Sequence, residues 1–338
     1  MAPMTTTPSS AQQLRTRTLG RSGPSVTAPA LGCMGMSGAY GPTDDEESVR
    51  VIGRYLDAGG NLLDTADFYA AGHNELLISR ALRDRNRDDV VLSVKFGAVL
   101  TPGGRVGGFD GRPAAVRHSL AYSLVRLGTD HVDVYRPARL DPAVPIEDTV
   151  GAIAELVEAG YVRHIGLSEV SSATIRRAAA VAPISDLQIA YSLLSRGIED
   201  DILSTCRELG IAVTAYGVLG NGLIGGSSPD HGARAAFPRF QGANLKHNVA
   251  LVAGLQSIAD AKGATPAQIA IAWAAAQGED IVPVVGARRI EQVHSMIGSV
   301  GVSLDQDDLA TIEELVPRGA VRGDRYPPEH MRDLDSEH

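Results

Sequence analysis

In the stretch NLLDTADFY, residues 61 to 69, an apolar run ends on Asp64 and passes two small residues. It then reaches Asp67, Phe68 and Tyr69. A second apolar run, VVLSVKF at 90 to 96, carries Lys95 near its end, and lysine otherwise occurs only at positions 246 and 262. Each residue has an ordinary reading: Asp64 or Asp67 as a cap of the next helix, Tyr69 as a loop aromatic, Lys95 as an exposed strand-end charge. Taken together they suggest chemistry. A phenol with a pKa near 10 exchanges protons poorly at neutral pH, a nearby ammonium favours its phenolate, and a carboxylate can hold that ammonium. Asp64, Tyr69 and Lys95 therefore make a candidate proton-transfer group for a carbonyl, the phenol protonating the oxygen as a hydride reaches the carbon.

Such a group needs a scaffold that brings separate strand ends together. Eight short β-branched or apolar runs, at 30–36, 61–66, 90–96, 131–138, 162–168, 186–191, 211–216 and 281–286, alternate with longer amphipathic stretches such as DDEESVRVIGRYLDAGG and PIEDTVGAIAELVEAG. The latter open on acids or Pro and close on Gly, as helix capping prefers. Eight successive βα units predict a (β/α)8 TIM barrel, whose chemistry sits at the C-terminal strand ends. RTRTLGRSGPSVTAPA predicts an N-terminal β-hairpin, and LDQDDLATIEELV an extra C-terminal helix. Residues 98–112 and 221–247 read as insertions at the mouth. Residues 1–14 are expected to form a disordered tail and 15–338 one barrel domain. The polar segment beyond Arg322 is expected to be loosely held.

Composition narrows the function classes. The 338 residues are 44% hydrophobic with a net charge of −9, enough apolar material for a full core and no basic block to meet nucleic acid. No window approaches the roughly 20 apolar residues of a membrane span. The leader lacks the apolar segment of a signal peptide, and the chain has only Cys33 and Cys206. No disulfide framework or metal site is indicated, and a reducing cytoplasm is the expected compartment. GNGLIG, Gly220 to Gly225, matches a dinucleotide fingerprint, but GSSPDHG follows it and cannot open the helix that the motif requires. After the seventh strand of a barrel it suits phosphate instead, its glycines letting backbone approach closely. Arg288 and Arg289, in GARRIEQ after the eighth strand, suit either phosphate or a solvated basic pair.

The ordered strings LGCMGMSGAYGP, LLDTADFYAAGHNE, VKFG, VDVYRPARLDPAVPIEDTVGAIAELVEAGYVRHIGLSE, LQIAYSLLSR and RELGIAVTAYGVLGNGLIGG cover nearly the whole chain. They resemble the bacterial, plant and fungal branch of the aldo-keto reductase superfamily, with its pyridoxal-reductase-like and auxin-induced-protein-like members. The resemblance implies the same barrel and an NADP-dependent reductase of aldehydes or ketones, in which Asp64, Tyr69 and Lys95 fill three places of an Asp-Tyr-Lys-His tetrad. It implies NADPH as cofactor and a small-molecule carbonyl as partner. Ser168 and Gln188 would meet the nicotinamide carboxamide, Tyr216 would stack on its ring, and Arg288 and Arg289 would meet the 2′-phosphate. Gln292 would lie on the adenosine side, with Met36, Leu219, Gly222 and Gly286 along the dinucleotide.

One position departs from the pattern. The family's fourth strand ends in a motif resembling HRVDP, whereas this chain reads RPARLDP, so Ala138 stands where the tetrad histidine is expected. His118 falls mid-helix, His131 and His164 begin strands at the opposite end of the barrel, and His73 starts a helix. Arg136 or Arg139 either replaces the donor or belongs to a structural ion pair. Two other functions stay open at this level: a nicotinamide-binding regulatory protein like the potassium-channel subunits of the same superfamily, and a phosphate-binding lyase or isomerase barrel.

Overall fold

The computed structural model describes residues 13–226 and 232–338. A hairpin of β1 (Arg15–Thr18) and β2 (Ser25–Ala28) comes first, turning where Leu19 N–H donates to Pro24 O at 3.0 Å. Eight parallel strands then close a barrel: β3 (Ala30–Gly32), β4 (Leu62–Ala66), β5 (Val91–Phe96), β8 (Val132–Pro137), β9 (Val162–Ser168), β10 (Ile184–Ala190), β11 (Ala212–Tyr216) and β12 (Ile281–Gly286). The antiparallel pair β6 (Ala98–Leu100) and β7 (Val106–Phe109) occupies the first expected insertion. A helix, Gln306–Leu315, follows barrel closure.

The helices form where capping chemistry and apolar periodicity coincide. Asp44 accepts the Glu47 N–H at 2.7 Å to start helix Asp45–Asp57, which buries Val51, Ile52 and Tyr55 against the strands. Pro113 starts helix Pro113–Leu127, and Gly128, at φ 68°, ends it.

Side chains alternate along each strand, so every second residue points into the barrel. The lower interior is apolar. Ala30, Leu62, Val91, Val134, Ala212, Val282 and Val284 pack there with Leu19 and Val26 of the hairpin, which stoppers that end. The layer above is charged. Arg136 is fully buried and donates to Asp186 at 3.0 Å, and Thr214 Oγ1 donates to the same carboxylate at 2.6 Å. Gly166 makes room for this pair: a Cβ there would lie 2.6 Å from Asp186 Oδ1 and 2.7 Å from Arg136 Nε. The two barrel carboxylates, Asp64 and Asp186, are thus matched by two cations, Lys95 and Arg136.

Three expectations need correction. The first barrel strand stops at Gly32, and its remaining residues form a short 3-10 turn, Met34–Ser37, closed by Gly38 at φ 82°. The sixth strand begins at Ile184, two residues before the expected 186, and its polar Ser185 and Asp186 are both buried. The segment beyond Arg322 is not loosely held: Arg325 is 8% exposed and Leu334 is fully buried. Arg325 and Ser336 bond to Glu169, and Asp335 to Ser171, contacts that a count of polarity does not reveal. Most of the expected N-terminal tail lies outside the described residues, as does part of the 221–247 insertion; Leu14 is buried. Among the described residues no helix is long and apolar enough to cross a membrane.

Candidate active site

Asp64 is the hub of the upper barrel. β4 points it inward, and its Oδ2 accepts from Lys95 Nζ at 2.7 Å. Its Oδ1 accepts from Gln188 Nε2 at 2.7 Å and from Ser93 Oγ at 3.0 Å, with Arg136 Nη1 at 3.8 Å. Burial alone would raise the Asp64 carboxyl, but the charges of Lys95 and Arg136 outweigh it and hold the group below the usual carboxylate range. Burial pulls the Lys95 ammonium below its ordinary value, with Asp64 opposing.

Tyr69 stands above this pair on the turn between β4 and helix His73–Leu82. The turn is strained: Ala70 and Ala71 have φ of 47° and 54°, left-handed values that cost non-glycine residues about 1–3 kcal/mol each. Asn74 compensates, accepting from Thr65 Oγ1 at 2.7 Å and donating to Cys33 O at 2.9 Å, which fixes the turn against β3 and β4. Lys95 Nζ lies 5.0 Å from the centroid of the Tyr69 ring, over its face. The position of that ammonium does not by itself decide the protonation of the phenol. Burial, then Asp64 and Tyr40, raise it well above its ordinary value, and Arg139 opposes. A tyrosine so placed holds its proton at neutral pH.

Ala138 is buried at the end of β8, its N–H donating to Phe96 O at 2.8 Å, and its methyl offers no hydrogen bond. The two neighbouring arginines divide. Arg136 is committed to Asp186 inside the barrel. Arg139 lies at the mouth, where Nη1 donates to Ala138 O at 2.6 Å and reaches Ser168 Oγ at 3.5 Å, while Nε and Nη2 make no hydrogen bond among the described residues. His73 sits at the start of its helix beside Ser37 and Asp45, and His118 packs on Tyr122.

The remaining expected positions spread around the same mouth. Ser168 and Gln188 are buried at the ends of β9 and β10, and Tyr216 ends β11. Leu219 and Gly222 flank or belong to a 3-10 turn, Gly220–Gly222, in which Asn221 has φ 56°. No helix follows that turn directly, consistent with rejecting a Rossmann reading. Gly286 is exposed at the end of β12. Met36 is fully buried in the 3-10 turn that follows β3. Gln292 caps the helix Ile290–Gly298, its Oε1 accepting from the N–H of Arg288 at 2.8 Å and of Arg289 at 3.2 Å. Arg289 is exposed.

Two residues at the mouth, Arg234 and Tyr40, carried no sequence signal. Arg234 lies over the Tyr40 ring at 4.5 Å, 7% exposed, with its Nε unpartnered among the described residues. Arg288 reaches Tyr40 O from another side at 3.3 Å. Neither arginine makes a salt bridge among the described residues, and burial, with Arg288 nearby, pulls the Arg234 guanidinium below its usual value. Two cations held close without a carboxylate, beside a glycine turn, suit an anionic group such as a phosphate. The residues present thus fit a phosphate-bearing dinucleotide. A cavity of about 280 Å³ lies elsewhere, behind the C-terminal segment between Leu194, Arg239, Arg325 and Met331. Among the described residues no His, Cys, Asp and Glu cluster could hold a metal.

Comparison with known proteins assigns this architecture. Residues 30–317 match the model of the Aldo/keto reductase family. The chain belongs to that family. It is 41% identical to probable aldo-keto reductase 1 of Glycine max over 320 residues, covering 93% of this chain and 92% of that protein. Its fold superposes on a glycerol dehydrogenase from Gluconobacter oxydans with a TM-score of 0.81 at 28% identity, covering 94% of this chain and 98% of that one. An aldo-keto reductase from Bacillus halodurans, in its holo form, gives 0.78 at 26% identity, with 93% and 100% covered. As an aldo-keto reductase the chain is an oxidoreductase acting on small carbonyl compounds with a nicotinamide cofactor.

Proposed function

We propose that the chain is an NADPH-dependent reductase that converts an aldehyde or ketone to an alcohol, with Tyr69 as the proton donor. The observation that carries the reading is the Tyr69 ring packed against Lys95 of the buried Asp64–Lys95 pair at a strand-end mouth. When bound, the reduced nicotinamide supplies the hydride to the carbonyl carbon. Tyr69 gives its proton to the oxygen. Lys95, fixed by Asp64, sets the positive field that stabilises the phenolate left behind. Arg139, with nitrogens free of other hydrogen bonds among the described residues, takes the place of the missing imidazole and orients the carbonyl oxygen.

Ser168, Gln188 and Tyr216 would hold the nicotinamide end. Arg288 and Arg289, joined by Arg234, would meet the phosphates, and Gly222 and Gly286 give them room; Leu219 and Gln292 would flank the dinucleotide. The cytoplasm remains the proposed compartment.

The test is oxidation of NADPH across a panel of aldehydes, ketones and quinone-like compounds, with NADPH affinity measured separately. Tyr69→Phe removes one hydroxyl and little volume. It should retain cofactor affinity and lose carbonyl reduction by about 10²–10⁴-fold, the range of a positioned acid. Full activity in that variant would rule Tyr69 out as the donor.

A further inference from the structure

Residues 322–338 lie beyond the region that the family model matches, 30–317. They close on one point of the barrel. Glu169, the residue after Ser168, is fully buried and has φ 52°, a left-handed value rare for a side chain of its size. Its carboxylate accepts a two-pronged contact from Arg325, Nη1 to Oε1 at 2.9 Å and Nη2 to Oε2 at 3.0 Å. It also accepts from Tyr216 O–H at 2.6 Å, Ser336 Oγ at 2.7 Å and Ala190 N–H at 2.9 Å. Nearby, Asp335 Oδ2 accepts from Ser171 N–H at 2.8 Å and Ser171 Oγ at 2.9 Å. Tyr326, next to Arg325, meets the Tyr216 hydroxyl at 3.0 Å and sets its ring edge-on to Phe237 with centroids 5.4 Å apart.

One buried carboxylate therefore ties together Tyr216 and the C-terminal segment, and its own backbone follows Ser168. We infer that Arg325 is a positioning residue. Acting through Glu169, it holds Tyr216 and Ser168 in the geometry that receives the nicotinamide, and Arg322–His338 forms a wall of that pocket. The inference rests on the nicotinamide-binding reading above. Its physical basis is the cost of an unpaired buried charge: without Arg325 the Glu169 carboxylate has no other salt bridge among the described residues, only the more distant charge of Arg139, and must rearrange together with the groups that hydrogen-bond to it.

The test uses the full-length protein and measures affinity by calorimetry for three probes: NADPH, reduced nicotinamide mononucleotide, and 2′,5′-ADP. Arg325→Gln should weaken NADPH and the mononucleotide by about tenfold, the equivalent of one charge-assisted hydrogen bond, and leave 2′,5′-ADP unchanged. Arg325→Lys keeps the charge but not the two-pronged contact. It should fall between the two, and it carries the comparison if the Gln variant does not fold. Unchanged mononucleotide affinity in a folded variant would overturn the inference. So would an equal loss for mononucleotide and 2′,5′-ADP, since that marks general loosening. Failure of the unmodified protein to bind NADPH would instead overturn the proposed function.

Discussion

Asp67, two residues before Tyr69, makes the stability of this barrel depend on pH in a calculable way. Its Oδ1 is buried without a hydrogen-bond partner, and burial, together with Glu75, pushes the carboxyl from its ordinary 3.8 up to about 7. The folded protein thus keeps a proton that the unfolded chain releases near pH 4. Between those values the folded state binds more protons, so stability falls as pH rises and levels off above pH 7. The shift of about 3 units, at about 1.4 kcal/mol each, sets a ceiling of about 4 kcal/mol, and partial solvent access reduces the expected effect to about 2 kcal/mol. Asp67→Asn is nearly isosteric and removes the titration. Urea unfolding at intervals from pH 4 to pH 8 should show the unmodified protein losing about 2 kcal/mol more than the variant, with the variant the more stable at pH 8. Parallel curves would refute an elevated Asp67 pKa.

Three further outcomes follow from the site. Arg288→Ala should erase most of the preference for NADPH over NADH, as measured by cofactor titration, because a charge-assisted contact to phosphate is worth about 1.5–3 kcal/mol. Lys95→Met leaves Asp64 with Arg136 at 3.8 Å as its nearest cation. It should lower unfolding stability by up to about 3–5 kcal/mol, seen by urea denaturation, and reduce turnover together with it. Arg139→Met should cut carbonyl turnover by about 10²–10³-fold, the usual loss for one donor to a developing oxyanion, while Ala138→His changes little as long as Arg139 is present. Steady-state rates on simple ketones decide this, and a faster Ala138→His enzyme would mean that Arg139 does not replace the imidazole.

How much of this was legible differs from residue to residue. The barrel was, because βα alternation and capping chemistry are local: Asp44 ahead of one helix and Pro113 at the start of another punctuate the chain whatever surrounds them. The grouping of Asp64, Tyr69 and Lys95 was legible too, since strand-end positions in a parallel barrel converge by construction. The sequence could not separate Arg136 from Arg139. Side chains alternate inward and outward along a strand, but whether an inward arginine lies deep in the barrel or at its mouth depends on a partner 50 residues away, Asp186, and on the space that Gly166 leaves. Nor could it show that Tyr69 is buried beside Asp64 and Tyr40, which together raise the phenol above its ordinary value. The C-terminal segment was the least legible of all. Its polar residues look like a solvated tail until folding brings Arg325 to Glu169, 156 positions earlier, and only tertiary structure decides which charges meet out of water.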